Sequence, residues 1–288
     1  MIFNELWEAF NDIYFEEGPH TYTDSVGTQY TSVTTFCGQF QKEKDWNLIA
    51  EKSAFNKAKA AIAAANPKLK KDQVIELAKI ESKKLAPSLR KEWSKSGDYA
   101  KILGTEVHAV MEYLWQNKDY EGNKDKMALY PGMIEDFEYR KAKCKEIFNS
   151  LKKMYVPVKN EYIVYDRDWK LCGTIDFLAW NKIKKCYAIL DWKTSKEFTR
   201  ENKYGETLKE PFSVYPACNC TEYSIQLSTY KAILEKHCPN IKIGELVLIQ
   251  LPKEGTEPDI FRCYDFSDIL TKYLDMRISD MQNEESAV

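Results

Sequence analysis

The sequence predicts an α/β protein in which a mixed central β-sheet is flanked by α-helices. Two observations favour this class: short β-rich runs recur along the chain, and segments with helical apolar periodicity lie before, between and after them. A content of 44% hydrophobic and 30% charged residues is typical of a globular chain. We expect one domain over residues 1–288.

The first forty residues predict a β-rich segment, 1–40. Short β-rich runs are separated by turn residues that interrupt strands. The predicted strands are 13–15, 20–22 and 29–35, and the turns lie at Gly18-Pro19 and at Ser25-Val26-Gly27.

A helical insertion is predicted over 41–97. An Ala-rich and Lys-rich helix begins near Lys44 and stops at Asn66-Pro67. Asp72 then caps a second helix, which we expect to end near Leu85, before Ala86-Pro87. Because these helices carry few large apolar side chains, we expect them to form an added helical arch outside the main core.

The remainder of the chain predicts alternating helices and strands around the core. The expected helices are 98–116, 133–151, 222–236 and 266–281. The expected strands are 162–165, 174–179, 186–192 and 245–251, and 195–219 is a long polar loop.

The net charge of -2 hides an uneven distribution. Residues 41–100 carry 14 basic and 8 acidic residues, whereas the rest of the chain carries 28 and 36. A basic segment on an acidic body suits a protein that handles polyanions, although a lysine-rich solvated helix surface has the same composition. Four aromatic residues in this segment could stack on bases or pack the arch: Trp46, Phe55, Trp93 and Tyr99.

The location and the cysteines are predicted from what the sequence lacks. No apolar run approaches the roughly 20 residues that span a bilayer, and the acidic N-terminus has no leader pattern. We therefore expect a cytoplasmic protein without a membrane partner. Of eight cysteines only Cys218 and Cys220 lie close together, so we expect buried thiols and no iron–sulfur cluster.

The residues that indicate chemistry lie on two neighbouring predicted strands. Asp176 follows Gly173-Thr174-Ile175, and Asp191-Trp192-Lys193 comes fifteen residues later. Strand alternation places Asp191 and Lys193 on one face, and a hairpin can bring Asp176 beside Asp191. Paired carboxylates favour an oxygen-ligated Mg²⁺ or Mn²⁺, and a lysine can orient and help deprotonate a water. The same short pattern also occurs as ordinary surface charge.

Two predicted helices add further polar residues. His108 and Glu112 share one helix face, and Gln226 and Tyr230 share another. Imidazole is a good ligand beside carboxylates, and Gly104 would permit close backbone approach. A core histidine, a solvated glutamate and ordinary helix-face residues are the alternatives.

Taken in order, these motifs resemble the RecB-type branch of the PD-(D/E)XK nuclease superfamily. The set comprises His108, Gly173-x-x-Asp176, Asp191-x-Lys193 and Gln226-x-x-x-Tyr230. That branch includes nuclease domains of bacterial recombination helicases, CRISPR-associated exonucleases and the mitochondrial genome-maintenance exonuclease. The opening run from Tyr22 through Tyr30-Thr31-Ser32-Val33-Thr34 resembles phage-encoded members, for which the location would be the host cytoplasm. The resemblance implies a restriction-endonuclease-like core.

The resemblance also implies a role for each residue. His108, Asp176 and Asp191 would ligate the metal with the Trp192 backbone carbonyl, and Lys193 would be the catalytic lysine. Residues expected to support the site or contact nucleic acid are Gln226, Tyr230 and, more weakly, Glu112 and then Glu106. Only two cysteines, Cys238 and Cys263, follow the Gln-x-x-x-Tyr helix, which disfavours the CRISPR-associated subgroup and its cluster.

The function expected from this resemblance is a Mg²⁺- or Mn²⁺-dependent deoxyribonuclease. An exonuclease acting on single-stranded DNA or DNA ends in replication, recombination or repair is favoured. An endonuclease of the same fold and a non-catalytic DNA-binding recombination scaffold are the alternatives. The chain has no Walker A loop, so a helicase, recombinase or single-strand-binding protein would be a separate partner.

Overall fold

A computed structural model of the chain describes residues 9–16 and 21–286. It confirms the predicted α/β class, with a mixed eight-stranded sheet and flanking helices. The strands are β1 (Ile13–Glu16), β2 (Thr21–Asp24), β3 (Gln29–Ser32), β4 (Tyr155–Asp166), β5 (Leu171–Asn181), β6 (Cys186–Lys193), β7 (Ile243–Gln250) and β8 (Ile260–Arg262). The helices are α1 (Val33–Gly38), α2 (Trp46–Ala65), α3 (Lys71–Trp115), α4 (Lys124–Met127), α5 (Met133–Leu151), α6 (Asn219–His237) and α7 (Ser267–Ser286).

The sheet runs in the order β1-β2-β3-β5-β6-β7-β8, and β4 pairs with β5. Strand β5 is antiparallel to β4 and β6 and parallel to β3, and β6 is parallel to β7. Helix α6 packs against this sheet through a largely buried surface. The main core therefore lies between α6, α1, α7 and the strands.

The chain divides into two compact units, one of Met1–Lys42 with Leu103–Val288 and one of Glu43–Ile102. Within the smaller unit, Ala54 of α2 is buried with Ala86 and Leu89 of α3. Its Trp46 side chain is 61% exposed. Such exposure differs from the core packing that the sequence also allowed for this residue.

The prediction of separate helices over 72–85 and 98–116 is wrong. One continuous helix, α3, runs through Pro87. A proline removes one backbone donor and crowds the preceding turn, which disfavours a helix interior. Here Ala86 and Leu89 on either side of the proline are buried, and this packing offsets the unfavourable residue.

Two further boundaries and two further elements differ from the sequence prediction. The strand expected over 29–35 ends at Ser32, because the Ser32 hydroxyl accepts a hydrogen bond from Thr35 N and caps α1. Strand β4 begins at Tyr155, seven residues before the predicted start. Helix α4 and strand β8 fall in segments for which no helix or strand is predicted. Part of the predicted strand 20–22 and the Gly18-Pro19 turn lie outside the described residues.

The cysteine thiols are free, and six of the eight are buried. Among the residues that the structure describes, no helix combines the length and apolar character needed to cross a membrane.

Candidate active site

The candidate site lies at a gap in the pairing along β5. Strand β3 pairs with Leu171 and Cys172, whereas β6 pairs with β5 only from Phe177 onward. The residues between them, including Thr174 and Asp176, line a cavity of about 470 Å³. The local topology thus opens a cleft beside the middle of a buried strand.

Three carboxylates lie in one row across this part of the sheet. The pairs on either side of Glu161 and Asp176 in the β4–β5 register make these two residues neighbours, and continuing the β5–β6 register by one residue beyond the Phe177–Leu190 pair places Asp176 next to Asp191. All three line the cavity. Asp176 and Asp191 thus line one cavity, close enough for Asp176 to raise the pKa of Asp191, and Glu161 extends the row by one strand.

A histidine from α3 joins the row at its centre. His108 Nδ1 lies 3.3 Å from Asp176 Oδ2. Ligand atoms of His108, Glu161 and Asp176 lie within 4.8 Å of one another, a grouping that can hold a metal ion. Asp176 Oδ2 also accepts a hydrogen bond from the Trp192 backbone N–H at 2.9 Å, which fixes this carboxylate relative to β6.

Glu161 lies in the site although the sequence does not predict it there. It fell just outside the strand predicted over 162–165, and its backbone φ of 44° is uncommon for a residue other than glycine. The pKa of Glu161 is raised. Desolvation by the surrounding protein is the larger cause, and repulsion from Asp176, Glu112 and Asp191 adds to it. Its signal in the sequence is spacing, because Glu161 precedes Asp176 by the same fifteen residues that separate Asp176 from Asp191.

Asp191 and Lys193 form a buried ion pair. Lys193 Nζ lies 2.6 Å from Asp191 Oδ2, and the Asp191 side chain is 3% exposed. Burial, and then repulsion from Asp176, raises the pKa of Asp191 despite the lysine. Burial lowers the pKa of Lys193, but attraction to Asp191 and Asp176 outweighs it, and the pKa lies above its ordinary value. Lys193 is therefore a proton-bearing cation at neutral pH.

Gln226 and Tyr230 of α6 line the cavity next to Lys193. Lys193 Nζ donates to Gln226 Oε1 at 3.5 Å, and Gln226 Nε2 donates to the Tyr230 hydroxyl at 3.2 Å. A Cβ added at Gly173 would lie 2.7 Å from Tyr230 Cε1. The glycine in Gly173-x-x-Asp176 thus gives the tyrosine ring its space, and the amide orients the lysine.

The remaining predicted residues have less direct positions. Glu112 lines the cavity and accepts a hydrogen bond from Gln116 Nε2 at 2.9 Å, but it is not in the metal-capable group. Glu106 is 4% exposed and accepts hydrogen bonds from the Tyr120 hydroxyl and Asn123 N, which gives it a structural role. Gly104 lines the cavity too, and a Cβ there would lie 3.4 Å from Thr194 Oγ1.

No protein-family model matches this sequence, and no curated protein matches it significantly.

Proposed function

We propose that the chain is a Mg²⁺- or Mn²⁺-dependent nuclease that hydrolyses DNA phosphodiester bonds, and an exonuclease on single strands or DNA ends is favoured. The observation that carries the proposal is the grouping of His108, Glu161 and Asp176 beside the Asp191–Lys193 pair. It unites a set of metal-ligating groups with a buried cation in one cavity.

The donor set fits a hard divalent cation. Two carboxylates and an imidazole lie within 4.8 Å of one another, and ligands on opposite sides of an octahedral Mg²⁺ are about 4.2 Å apart. His108, Glu161 and Asp176 would hold the ion, with Asp191 next in the row. The Trp192 backbone lies at this point through its hydrogen bond to Asp176, and ligation by its carbonyl stays a prediction.

A bound divalent cation would supply charge stabilisation to the phosphodiester and acidify a water. The chain's own contribution centres on Lys193, whose positive charge faces the cavity and can stabilise negative charge that develops on phosphate oxygens. Gln226 Oε1 accepts a hydrogen bond from the Lys193 ammonium group and so helps to position it. In hydrolysis the water oxygen bonds to phosphorus, one P–O ester bond breaks, and the departing oxygen takes a proton.

Charge distribution supports a nucleic acid as the substrate. The unit Glu43–Ile102 carries 14 basic and 8 acidic residues, and a basic surplus favours contact with phosphates. The carboxylates are in the other unit. This separation lets one part of the chain attract a polyanion while another binds cations.

The test is a time course with end-labelled single-stranded, duplex and covalently closed circular DNA, with Mg²⁺, Mn²⁺ or EDTA. We expect cation-dependent release of short products from linear single strands and little cutting of circles. Cutting of circles at the same rate as linear DNA would replace the exonuclease by an endonuclease.

The matched variant for this assay is Asp191→Asn. It keeps the shape of the side chain and removes the charge, so turnover should fall by a factor of about 10² to 10³ while DNA binding persists. DNA binding by both proteins with cutting by neither would favour the non-catalytic scaffold.

A further inference from the structure

We propose that Phe15 and Tyr22 form a stacking wall for an unpaired nucleobase of the strand that enters the cavity. This inference rests on the proposed nuclease function and specifies which part of the substrate the cavity contacts. Both side chains line the same cavity as Asp176 and Lys193. No residue of the four-motif set used above lies on β1 or β2, the strands that carry the wall.

The two rings form a continuous aromatic surface. Phe15 on β1 lies directly opposite Tyr22 on β2 in an antiparallel pair. Their ring centroids are 4.7 Å apart and the ring planes are tilted by 31°. Phe15 is 39% exposed whereas Tyr22 is 5% exposed, so Phe15 presents the accessible face of the wall and Tyr22 supports it from the interior.

The wall lies within reach of the carboxylate row. The Tyr22 hydroxyl is 3.4 Å from Thr174 Oγ1, and Thr174 precedes Asp176 by two residues on the same face of β5. Two residues of a strand span about 7 Å, which is roughly the backbone length of one nucleotide in a single strand. A base on this wall would belong to a nucleotide adjacent or nearly adjacent to the phosphate that is cut.

Stacking on an aromatic ring requires an unpaired base and tolerates every base sequence. A duplex buries both faces of each base, so only single-stranded DNA or a frayed end can use the wall. The carboxylates of the cavity repel the phosphate backbone of the DNA unless a cation is present. The apolar rings carry no charge and can contact the bases without this repulsion. The wall thus favours single-stranded substrates without reading their sequence.

Binding of a fluorescent single-stranded oligonucleotide by the full chain provides the test. Each protein carries Asp191→Asn and Mg²⁺ is present, so that cutting is slow compared with the binding measurement. We expect Phe15→Ala to weaken binding by a factor of about 5 to 100, and Phe15→Trp to restore it. The matched control is Tyr14→Ala, because Tyr14 is the preceding residue on β1, is 62% exposed and does not line the cavity.

A second measurement separates stacking from a change in the fold. Each oligonucleotide of a series carries one abasic site at a different position, and binding to the protein that retains Phe15 is measured. We expect binding to be weakened when the abasic site lies at one particular position. At that position the abasic site should have no further effect on Phe15→Ala, because both changes remove the same contact. Additive effects, or equal losses for Tyr14→Ala and Phe15→Ala, would overturn the wall.

The outcomes distinguish this inference from the proposed function. A chain with the native active site that cuts DNA while Phe15→Ala binds normally refutes the wall alone. A chain that neither binds nor cuts any DNA refutes the nuclease, and the wall with it.

Discussion

Two histidine–aspartate pairs border the β4–β5 hairpin, and their surroundings are opposite in charge. His237 Nε2 lies 2.8 Å from Asp166 Oδ2, and His108 Nδ1 lies 3.3 Å from Asp176 Oδ2. Asp166 is fully buried, and Lys236 Nζ is 2.7 Å away. Burial raises the pKa of Asp166, but hydrogen bonds from His237, Lys236 and the Trp169 backbone outweigh it and lower the pKa overall.

Asp176 has carboxylates as its neighbours, whereas Asp166 has basic side chains. Asp176 lines one cavity with Glu161 and Asp191 and repels both carboxylates, and Lys193 is paired with Asp191. The chain neutralises its structural carboxylate with its own side chains and leaves a surplus of negative charge in the cavity. That surplus is unfavourable for folding and becomes useful only when a cation binds there.

The largest expected effect comes from removing one charge from each pair. Asp176→Asn should reduce nuclease turnover by a factor of at least about 10² to 10³, because it removes a metal-ligating carboxylate from the row. Asp166→Asn should retain turnover but lower the free energy of unfolding by about 1.5–3 kcal/mol, because it removes charge-assisted hydrogen bonds. Single-turnover cleavage and urea unfolding measure the two quantities.

The two asparagine variants serve as controls for each other. Asp176→Asn should keep wild-type stability or exceed it, since it relieves repulsion within the row. Loss of turnover by a folded Asp166→Asn protein would contradict the structural role of Asp166. Equal loss of stability in Asp176→Asn and Asp166→Asn would contradict the difference between the two pairs.

A smaller effect is expected for the histidines. His108→Gln should weaken Mn²⁺ binding at least about tenfold in calorimetry, because one of three grouped donors is lost. His237→Gln should leave Mn²⁺ affinity unchanged, since Asp166 already has Lys236 as a cationic partner. Equal Mn²⁺ affinities for the two variants would remove His108 from the metal site.

Much of the fold could be predicted from the sequence because the signals were local. The helices over 133–151 and 222–236 show apolar periodicity, and their observed bounds agree within a few residues. The predicted helix end before Pro87 is wrong, because the rule that proline ends a helix is local. It does not include the tertiary packing of the residues beside Pro87.

The site was predictable where spacing and strand alternation determine it. Asp191 and Lys193 share a face because they are two residues apart on one strand. Glu161 depends on the register between β4 and β5, and the sequence prediction began that strand one residue too late to include it. The fifteen-residue interval was visible, but it becomes informative only when the three strands are known to be consecutive antiparallel neighbours.

The smallest expected effect concerns pH and the structural pair. Because the folded pKa of Asp166 lies below its ordinary value of 3.8, its ionisation stabilises the fold at pH values above 3.8. As pH falls below 3.8 through the lowered pKa, both folded and unfolded states become protonated and this contribution is lost. The stability difference between wild type and Asp166→Asn should therefore be largest at neutral pH and should shrink progressively as the pH falls below 3.8. Urea unfolding of both proteins at pH 7, 4, 3 and 2 would measure it. A difference that does not shrink at all between pH 7 and pH 2 would assign the effect to packing of the side chain, and Asp166 would no longer be the neutralised counterpart of Asp176.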